Sequence, residues 1–302
     1  VTDPSPLVTV VIPTFDRLPL LKEAVASVRA QTYARWELVV ADDGSTDGTA
    51  EWVGGSDDPR IRLLPLPHCG QPAVARNRGV ATGSGELVAF LDSDDVWLPR
   101  KLEAQVAALR ESDARWCYAR YEIMDEEGRP APRRAGVFRP LSGSIAREIA
   151  SDHADVFIGT VLVERTLFDE VGGFSEDAEL RHREDWELEV RLAARAPVAA
   201  VDETLARVRQ HAGRRTAAGR NPFLAAAAAC DVLLRHPLPP DVRAAVRRAR
   251  ARHLADAAAA RLARGDYGDA ARLFARSLAG PPDPATWARA LVRGVCARLR
   301  RA

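Results

Sequence analysis

The stretch Gly85-Glu86-Leu87-Val88-Ala89-Phe90-Leu91-Asp92-Ser93-Asp94-Asp95 carries a short apolar run straight into three carboxylates. Leu87 to Leu91 has the length and character of a strand buried on both faces, as in a parallel sheet. Sheets of that kind bind ligands outside the carboxyl ends of their strands. Three carboxylates at such an edge repel one another unless a cation sits among them, and hard oxygen ligands suit Mg²⁺ or Mn²⁺. Taken alone, the cluster reads equally well as a solvated turn with helix-capping acids, which would suit Asp95 ahead of Pro99.

Outward from this point, the cluster closes the last of four similar units. Val8 to Pro13 reads as a first buried strand, followed by an amphipathic helix from about Pro19 to Gln31. Glu37 to Ala41 is a second strand, running into Asp42-Asp43-Gly44-Ser45-Thr46-Asp47. Arg60 to Leu64 is a weaker third, and a helix near Pro72 to Ala81 leads to the fourth. Apolar strands alternating with helical segments predict a doubly wound, Rossmann-like α/β fold, a mostly parallel sheet flanked by helices. The polar clusters Thr14–Arg17, Asp42–Ser45 and Asp92–Asp95 then share one sheet edge, which capping alone explains poorly. A dinucleotide site would want G-x-G-x-x-G after the first strand, where Pro13 to Arg17 offers no glycine. A P-loop needs its lysine, and the only lysines are Lys22 and Lys101.

Val11-Ile12-Pro13-Thr14-Phe15-Asp16-Arg17, Ala41-Asp42-Asp43-Gly44-Ser45, Ala75-Arg76-Asn77-Arg78-Gly79 and Leu91-Asp92-Ser93-Asp94-Asp95 occur in that order. Together they resemble the inverting nucleotide-sugar glycosyltransferases of family 2, which have the GT-A fold. The resemblance is dense over the first hundred residues and resumes near Gly159 to His211. It implies a GT-A catalytic domain over residues 1–215, with a nucleotide-sugar half of about 1–100 and an acceptor half of about 101–215. An Ala/Arg-rich helical appendage follows over residues 220–302. The implied activity is a metal-dependent, inverting, hexosyl-type transfer from a UDP- or dTDP-sugar to an acceptor hydroxyl, with Mn²⁺ or Mg²⁺ as cofactor.

By that resemblance Pro13, Thr14, Phe15 and Arg17 lie along the nucleoside, Asp43 accepts the imide N–H of uracil or thymine, and Arg76, Asp92 and Ser93 face the nucleotide sugar. Asp94 matches the metal ligand, with Asp92 in the ribose and metal shell, and His211 matches a histidine that reaches back to the metal or diphosphate. Read from the residues alone, Phe15 equally closes the first strand, Asp43 has an Asx-turn before Gly44 as its plainer reading although Asp42 is the better turn former, and Arg76 equally salt-bridges the acidic rim. Asp16 stands where many relatives have asparagine. Gly159–Val163 and Glu170-Val171-Gly172-Gly173-Phe174 resemble the segment before the catalytic carboxylate. Asp185, in Arg183-Glu184-Asp185-Trp186-Glu187-Leu188, matches the general base. Without the resemblance, Glu184 and Asp185 read as first-turn acids held ionised by the helix dipole. Trp186 reads as either pocket wall or core. The remaining histidines, His68 among them, show no ligand spacing.

The net charge of +1 conceals an asymmetry. Residues 241–302 carry fourteen arginines against five acids, about +9, which leaves about −8 on residues 1–240. This tail reads as helices over Val242–Ala263, Ala270–Leu278 and a last one capped by Asp283. In the last, Trp287, Leu291, Val295 and Leu299 form a stripe expected to pack on the chain's own helices, or else to rest on an anionic membrane. Nucleic acid is excluded as a partner because the acidic half would repel it. Four scattered cysteines read as reduced thiols, and the polar, proline-rich Val1–Pro6 reads as no leader, so a cytoplasmic location is expected, at most peripheral at the inner membrane face. Two alternatives stand beside the main reading: a polyprenyl-phosphate glycosyltransferase at the membrane surface, and a nucleotide-sugar-binding protein without turnover. No motif names the acceptor, which is a glycan, a lipid-linked glycan or a small molecule.

Overall fold

The computed structural model describes residues 5–131, 140–180, 183–210, 222–278 and 284–299. The first half alternates as expected: β1 (Val8–Thr14), α1 (Leu18–Arg29), β2 (Trp36–Asp42), α2 (Thr49–Gly54), β3 (Ile61–Pro65), α3 (Pro72–Thr82) and β4 (Leu87–Phe90). β1 runs parallel to β2 on one side and to β4 on the other, with Val11 level with Val39 and Phe90. Successive side chains point to opposite faces. Val8, Val10 and Ile12 therefore enter one core with Leu21, Val25 and Val28 of α1, while Val11 enters the other with α3. Burial on both faces is why these strands read as continuous apolar runs rather than alternating ones. α3 lies so close to β1 that a Cβ at Gly79 would stand 2.4 Å from Val11 Cγ1, so this helix position requires glycine.

The second half adds β5 (Val96–Trp97), α4 (Lys101–Arg110), β6 (Trp116–Met124), α5 (Ala146–Ala150), β7 (Leu162–Glu164), α6 (Arg165–Glu170), α7 (Glu184–Arg195) and β8 (Val198–Arg209). The eight strands form one sheet in the order β3-β2-β1-β4-β7-β6-β8-β5. β7 is antiparallel to both β4 and β6, so strand direction changes beside the acidic end of β4. Lys101, the first residue of α4, is fully buried, with Nζ 3.9 Å from the centre of the Trp97 ring and no hydrogen-bond partner among the described residues.

Among the described residues four helices follow: α8 (Pro222–Leu233), α9 (Pro240–Arg264), α10 (Tyr267–Leu278) and α11 (Pro284–Leu299). α8 and the first half of α9 join the core of the preceding α/β portion: Cys230, Leu233, Val242 and Val246 share one cluster with Leu188 and Leu192 of α7. The stripe expected on the last helix does not pack as a stripe. Ala290 is buried and Trp287 packs beside it on Ala255 and Ala259, but Leu291 is 50% and Val295 42% exposed. Small residues win this interface because they let two helices approach closely; a Cβ at Gly294 would lie 3.0 Å from the Ala259 carbonyl oxygen. Asp283, the expected cap, lies outside the described residues. No helix among the described residues is long and apolar enough to cross a membrane.

Candidate active site

The carboxyl ends of β1, β2 and β4 and the start of α7 meet at one open cleft of about 280 Å³, lined by Pro13, Thr14, Phe15, Arg17, Asp43, Arg76, Asp92, Ser93, Asp94 and Asp185. Of the residues expected to act together, only His211 is missing from this account, because it lies outside the described residues.

At the β1 end, Phe15 is 39% exposed and stacks on His68 with ring centroids 4.1 Å apart, so it forms cleft wall and does not close the core. Asp16 takes a left-handed backbone conformation with φ 46°, which aspartate tolerates better than most residues. Its carboxylate accepts the Thr46 N–H at 2.7 Å, and its own N–H donates to Ser45 Oγ at 2.9 Å, so it joins the β1 and β2 loops and does not face the cleft. Thr14 Oγ1 is buried in the cleft wall without a hydrogen-bond partner among the described residues.

Asp42 is the turn former, accepting the Ser45 N–H at 3.0 Å. Asp43 holds a different loop: its two oxygens accept the Cys69 and Gly70 N–H groups at 2.9 and 2.8 Å, and His68 Nδ1 stands 3.1 Å away. A carboxylate has about four lone-pair sites, so two backbone donors leave capacity for a base N–H. His68 carried no sequence signal. It arrives from the irregular segment after β3 and is placed through Asp43 and the Phe15 ring.

At the β4 end, Asp92, Asp94 and Asp95 each bring one carboxylate oxygen within 4.8 Å of the others. Arg17 pairs with Asp94 at 2.6 Å and Arg76 with Asp92 at 2.6 Å. Asp95 is buried and accepts the Arg209 N–H at 2.8 Å, which fixes the end of β8 beneath the cluster. An all-oxygen set at a rim, with arginines offsetting part of its charge, is a donor set that fits a hard divalent cation.

Across the cleft, Gly172-Gly173-Phe174 is clamped to α3. Asn77 Nδ2 donates to the Phe174 carbonyl at 2.8 Å, and its Oδ1 accepts the Phe174 N–H at 2.9 Å. Gly173 sits at φ +66°, where a Cβ would also strike Asn77 Oδ1 at 2.8 Å. Within α7 a buried Glu187–Arg191 pair (2.6 Å) passes its remaining donors to the Val171 and Gly173 carbonyls. Trp186 is core: it is 8% exposed and its indole N–H donates to the Ile149 carbonyl at 3.1 Å.

Asp185 lies on the cleft wall, where its surroundings add to what the helix alone supplies. The helix dipole alone would depress its pKa, yet burial raises it, as does the neighbouring Glu184 charge, against the opposing pull of its Trp186 N–H bond and of Arg76. Glu189, one turn below and buried, is pushed well above the ordinary carboxylate range by burial and by Asp185. A carboxylate raised in this way is a stronger base than a free aspartate. Glu184, beside it at the start of α7, is buried with Oε1 3.7 Å from Arg76 Nη1.

The family model for glycosyl transferase family 2 matches residues 9–172. The chain is 39% identical over 119 residues to the Escherichia coli UDP-Glc:alpha-D-GlcNAc-diphosphoundecaprenol beta-1,3-glucosyltransferase WfgD, covering 39% of this chain and 47% of that protein. It is 32% identical over 166 residues to the putative teichuronic acid biosynthesis glycosyltransferase TuaG of Bacillus subtilis, covering 54% and 64%. The chain thus matches between about half and two thirds of the length of these relatives. In fold it is similar to S. aureus TarS 1-349 in complex with UDP-GlcNAc, with a TM-score of 0.64 at 18% identity, covering 82% of this chain and 71% of that one. It is also similar to the Pyrobaculum calidifontis mannosyltransferase PcManGT in complex with GDP-Man and Mn²⁺, with a TM-score of 0.60 at 19% identity, covering 97% and 87%. The sheet with its added C-terminal helices is that of the GT-A glycosyltransferases.

Proposed function

The chain belongs to glycosyl transferase family 2, and from that premise we propose that it is a metal-dependent, inverting glycosyltransferase that moves a hexosyl-type sugar from a UDP- or dTDP-sugar to an acceptor hydroxyl. One observation carries the reading: the acid cluster after β4 and the raised carboxylate of Asp185 face the same cleft, so a donor diphosphate and a base can act on one sugar.

In this reading Phe15 and His68 offer an aromatic surface to the base, Asp43 accepts its imide N–H, and the free hydroxyl of Thr14 finds its partner in the nucleoside. Pro13, Arg17 and Ser93 line the path to the diphosphate. Asp94 and Asp92 would hold Mn²⁺ or Mg²⁺, with His211 as a further ligand, and a bound cation would supply Lewis-acid stabilisation of the departing diphosphate. Asp185 takes the acceptor hydroxyl proton as that oxygen bonds to the anomeric carbon from the face opposite the diphosphate. The sugar–phosphate C–O bond breaks in the same step, its electron pair leaving with the nucleoside diphosphate. One displacement inverts the anomeric centre. Residues 1–215 would carry the catalytic groups, and of the helices over 220–302 α8 and early α9 would support α7 through their shared core, leaving α10 and α11 as the appendage.

A second reading gives the acceptor a lipid. WfgD is named for a diphosphoundecaprenol-linked acceptor, and Leu291, Val292 and Val295 form an exposed apolar face on α11 among arginines. That combination suits a peripheral contact with an anionic membrane, as at the inner face of a cell membrane. A binding protein without turnover is disfavoured because Asp94 and Asp185 are both in place. The deciding experiment is turnover and product stereochemistry with Asp185→Asn. The variant should lose at least ~10²-fold in kcat, the scale of a positioned base, while donor binding holds. Retention of configuration in the wild-type product by NMR, or near-normal turnover in the variant, would overturn the assignment.

A further inference from the structure

Phe157 is a further aromatic residue of the cleft, half-buried where Asp185 also lines it. β7 is antiparallel to β4, so the segment entering β7 lies at the acidic end of β4, on the side away from β1. Phe15 and Asp43 stand on the other side, just past the ends of β1 and β2. The backbone beneath the ring is anchored at each step of a single 3₁₀ turn over Ile158–Thr160. The Phe157 carbonyl accepts the Thr160 N–H at 2.7 Å and its hydroxyl at 2.8 Å. The Trp97 indole N–H donates to the Gly159 carbonyl at 2.7 Å, and Gln105 Nε2 to the Thr160 carbonyl at 2.6 Å. The ring lies against Gly159, where a Cβ would stand 2.4 Å from Phe157 Cε1. Tyr121 of β6 backs it with ring centroids 5.1 Å apart, and the Tyr121 hydroxyl donates to Asp155 at 2.6 Å.

We propose that Phe157 is the platform of the acceptor subsite: its ring stacks on the C–H face of a terminal pyranose, and the Asp155 carboxylate accepts hydroxyls of that sugar. The role rests on Asp185 marking the acceptor side of the cleft. An aromatic face is electron-rich, and the axial C–H bonds of a pyranose offer it a weakly positive, apolar surface. A plain alkyl alcohol would gain burial alone. Asp155 is exposed, and one bond from Tyr121 leaves most of its acceptor capacity open. Rigid apolar wall with few polar groups beside it is the usual make-up of a site that orients a small ligand. Asp155 and Asp185 both bear on the Glu189 carboxylate, so the platform adjoins the helix that carries the base. A pyranose at the end of a free glycan and one on a lipid diphosphate share this chemistry.

The test uses methyl glycosides of glucose, N-acetylglucosamine, mannose and rhamnose as probes, added to the full chain loaded with UDP and Mg²⁺ and read by saturation-transfer NMR. At least one should bind, with the strongest saturation on the C–H protons of one ring face. Phe157→Leu keeps apolar bulk and loses the aromatic face, so affinity for that glycoside should fall about fivefold or more, ~1 kcal/mol. UDP affinity should hold, and Phe157→Tyr should bind the glycoside like wild type. Binding of none of the glycosides, or equal binding in Phe157→Leu, overturns the proposal. A loss of UDP-glucose or UDP-GlcNAc affinity relative to UDP in Phe157→Leu sets the ring against the donor sugar and overturns it too. Should the Leu variant fail to fold by near-UV circular dichroism, ¹³C-labelled phenylalanine decides. The Phe157 ring signal, identified by its loss in Phe157→Tyr, should shift when the glycoside is added, and an unmoved signal overturns the proposal. The same sugar on farnesyl diphosphate separates the two sources: binding about tenfold tighter or more assigns a lipid-linked acceptor and equal binding a free glycan, and loss of both in Phe157→Leu supports the platform. All of these are binding readouts, so failure of the platform is distinguishable from failure of Asp185 as base, which turnover in Asp185→Asn reports.

Discussion

Lys101 permits a quantitative test of how this core bears charge. Its Nζ is buried without a hydrogen-bond partner among the described residues, and burial lowers its pKa from 10.5 to about 7. The folded state therefore binds fewer protons at this site than the unfolded state between those two values, so stability rises with pH across that window. A fall from 10.5 to about 7 corresponds to ~4–5 kcal/mol at 1.36 kcal/mol per pH unit. The Trp97 ring 3.9 Å away returns up to ~2 kcal/mol to the charged form. The net cost near neutral pH is then ~2–4 kcal/mol. Lys101→Met keeps the unbranched stem and removes the charge. It should raise stability by that amount at pH 7 in urea or thermal unfolding, several degrees in Tm for a chain of this size. The advantage should shrink as pH rises and vanish above about 10.5. A Met variant less stable than wild type at pH 7, or a difference that is the same at pH 7 and pH 10, would refute this account, and Lys101 would then be stabilised by the indole outright.

Three further outcomes are expected. Asp94→Asn removes charge that offsets the cation, so Mn²⁺-supported UDP binding measured by calorimetry should fall at least ~10-fold, about 1.4 kcal/mol, while binding in chelator is unchanged. If Asp43 accepts the imide N–H, UDP should outcompete CDP, because facing acceptors in the buried site cost ~1–3 kcal/mol; tighter binding of CDP or GDP would remove Asp43 from base recognition. If α11 rests on anionic lipid, Leu291→Asn with Val295→Asn should cut sedimentation with anionic vesicles about 10-fold or more, since each buried apolar side chain is worth ~1.5–3 kcal/mol. Any vesicle binding should also weaken with salt, and binding equal in the variant would assign those side chains no lipid contact.

The first half of the fold was legible because its strands are buried on both faces, which writes them as unbroken apolar runs ending in polar clusters. Asp42 and Asp43 illustrate the limit. The turn formed by Asp42 is local and could be read, whereas the grip of Asp43 on Cys69 and Gly70 spans a whole strand and loop. His68 was unreadable for the same reason. At Asp185 the dipole was legible because it is a property of one helix, while burial and the Glu184 charge, which raise its pKa, arise from assembly. α11 misled in another way: counting large apolar residues overlooks that Ala290 and Gly294 pack best where two helices touch. Arg76 was identified as a site residue, but the sharing of its charge between Asp92 and Glu184 needed both halves of the chain in place.

The continuity of α8 and α9 with α7 bears on how such a protein can be recombined. His236, just beyond α8, reaches within 3.4 Å of the buried Glu187, and Arg235 pairs with Asp177 at 2.8 Å. A chimera joined near residue 215 would separate these groups and leave Leu188 and Leu192 facing an unfamiliar neighbour. The joint that keeps α7 supported falls late in α9, beyond Ala249, the last of its residues in the shared core. Helices α8 and early α9 would have to be inherited together with α7, while α10 and α11, outside that shared core, form the portion that can be exchanged.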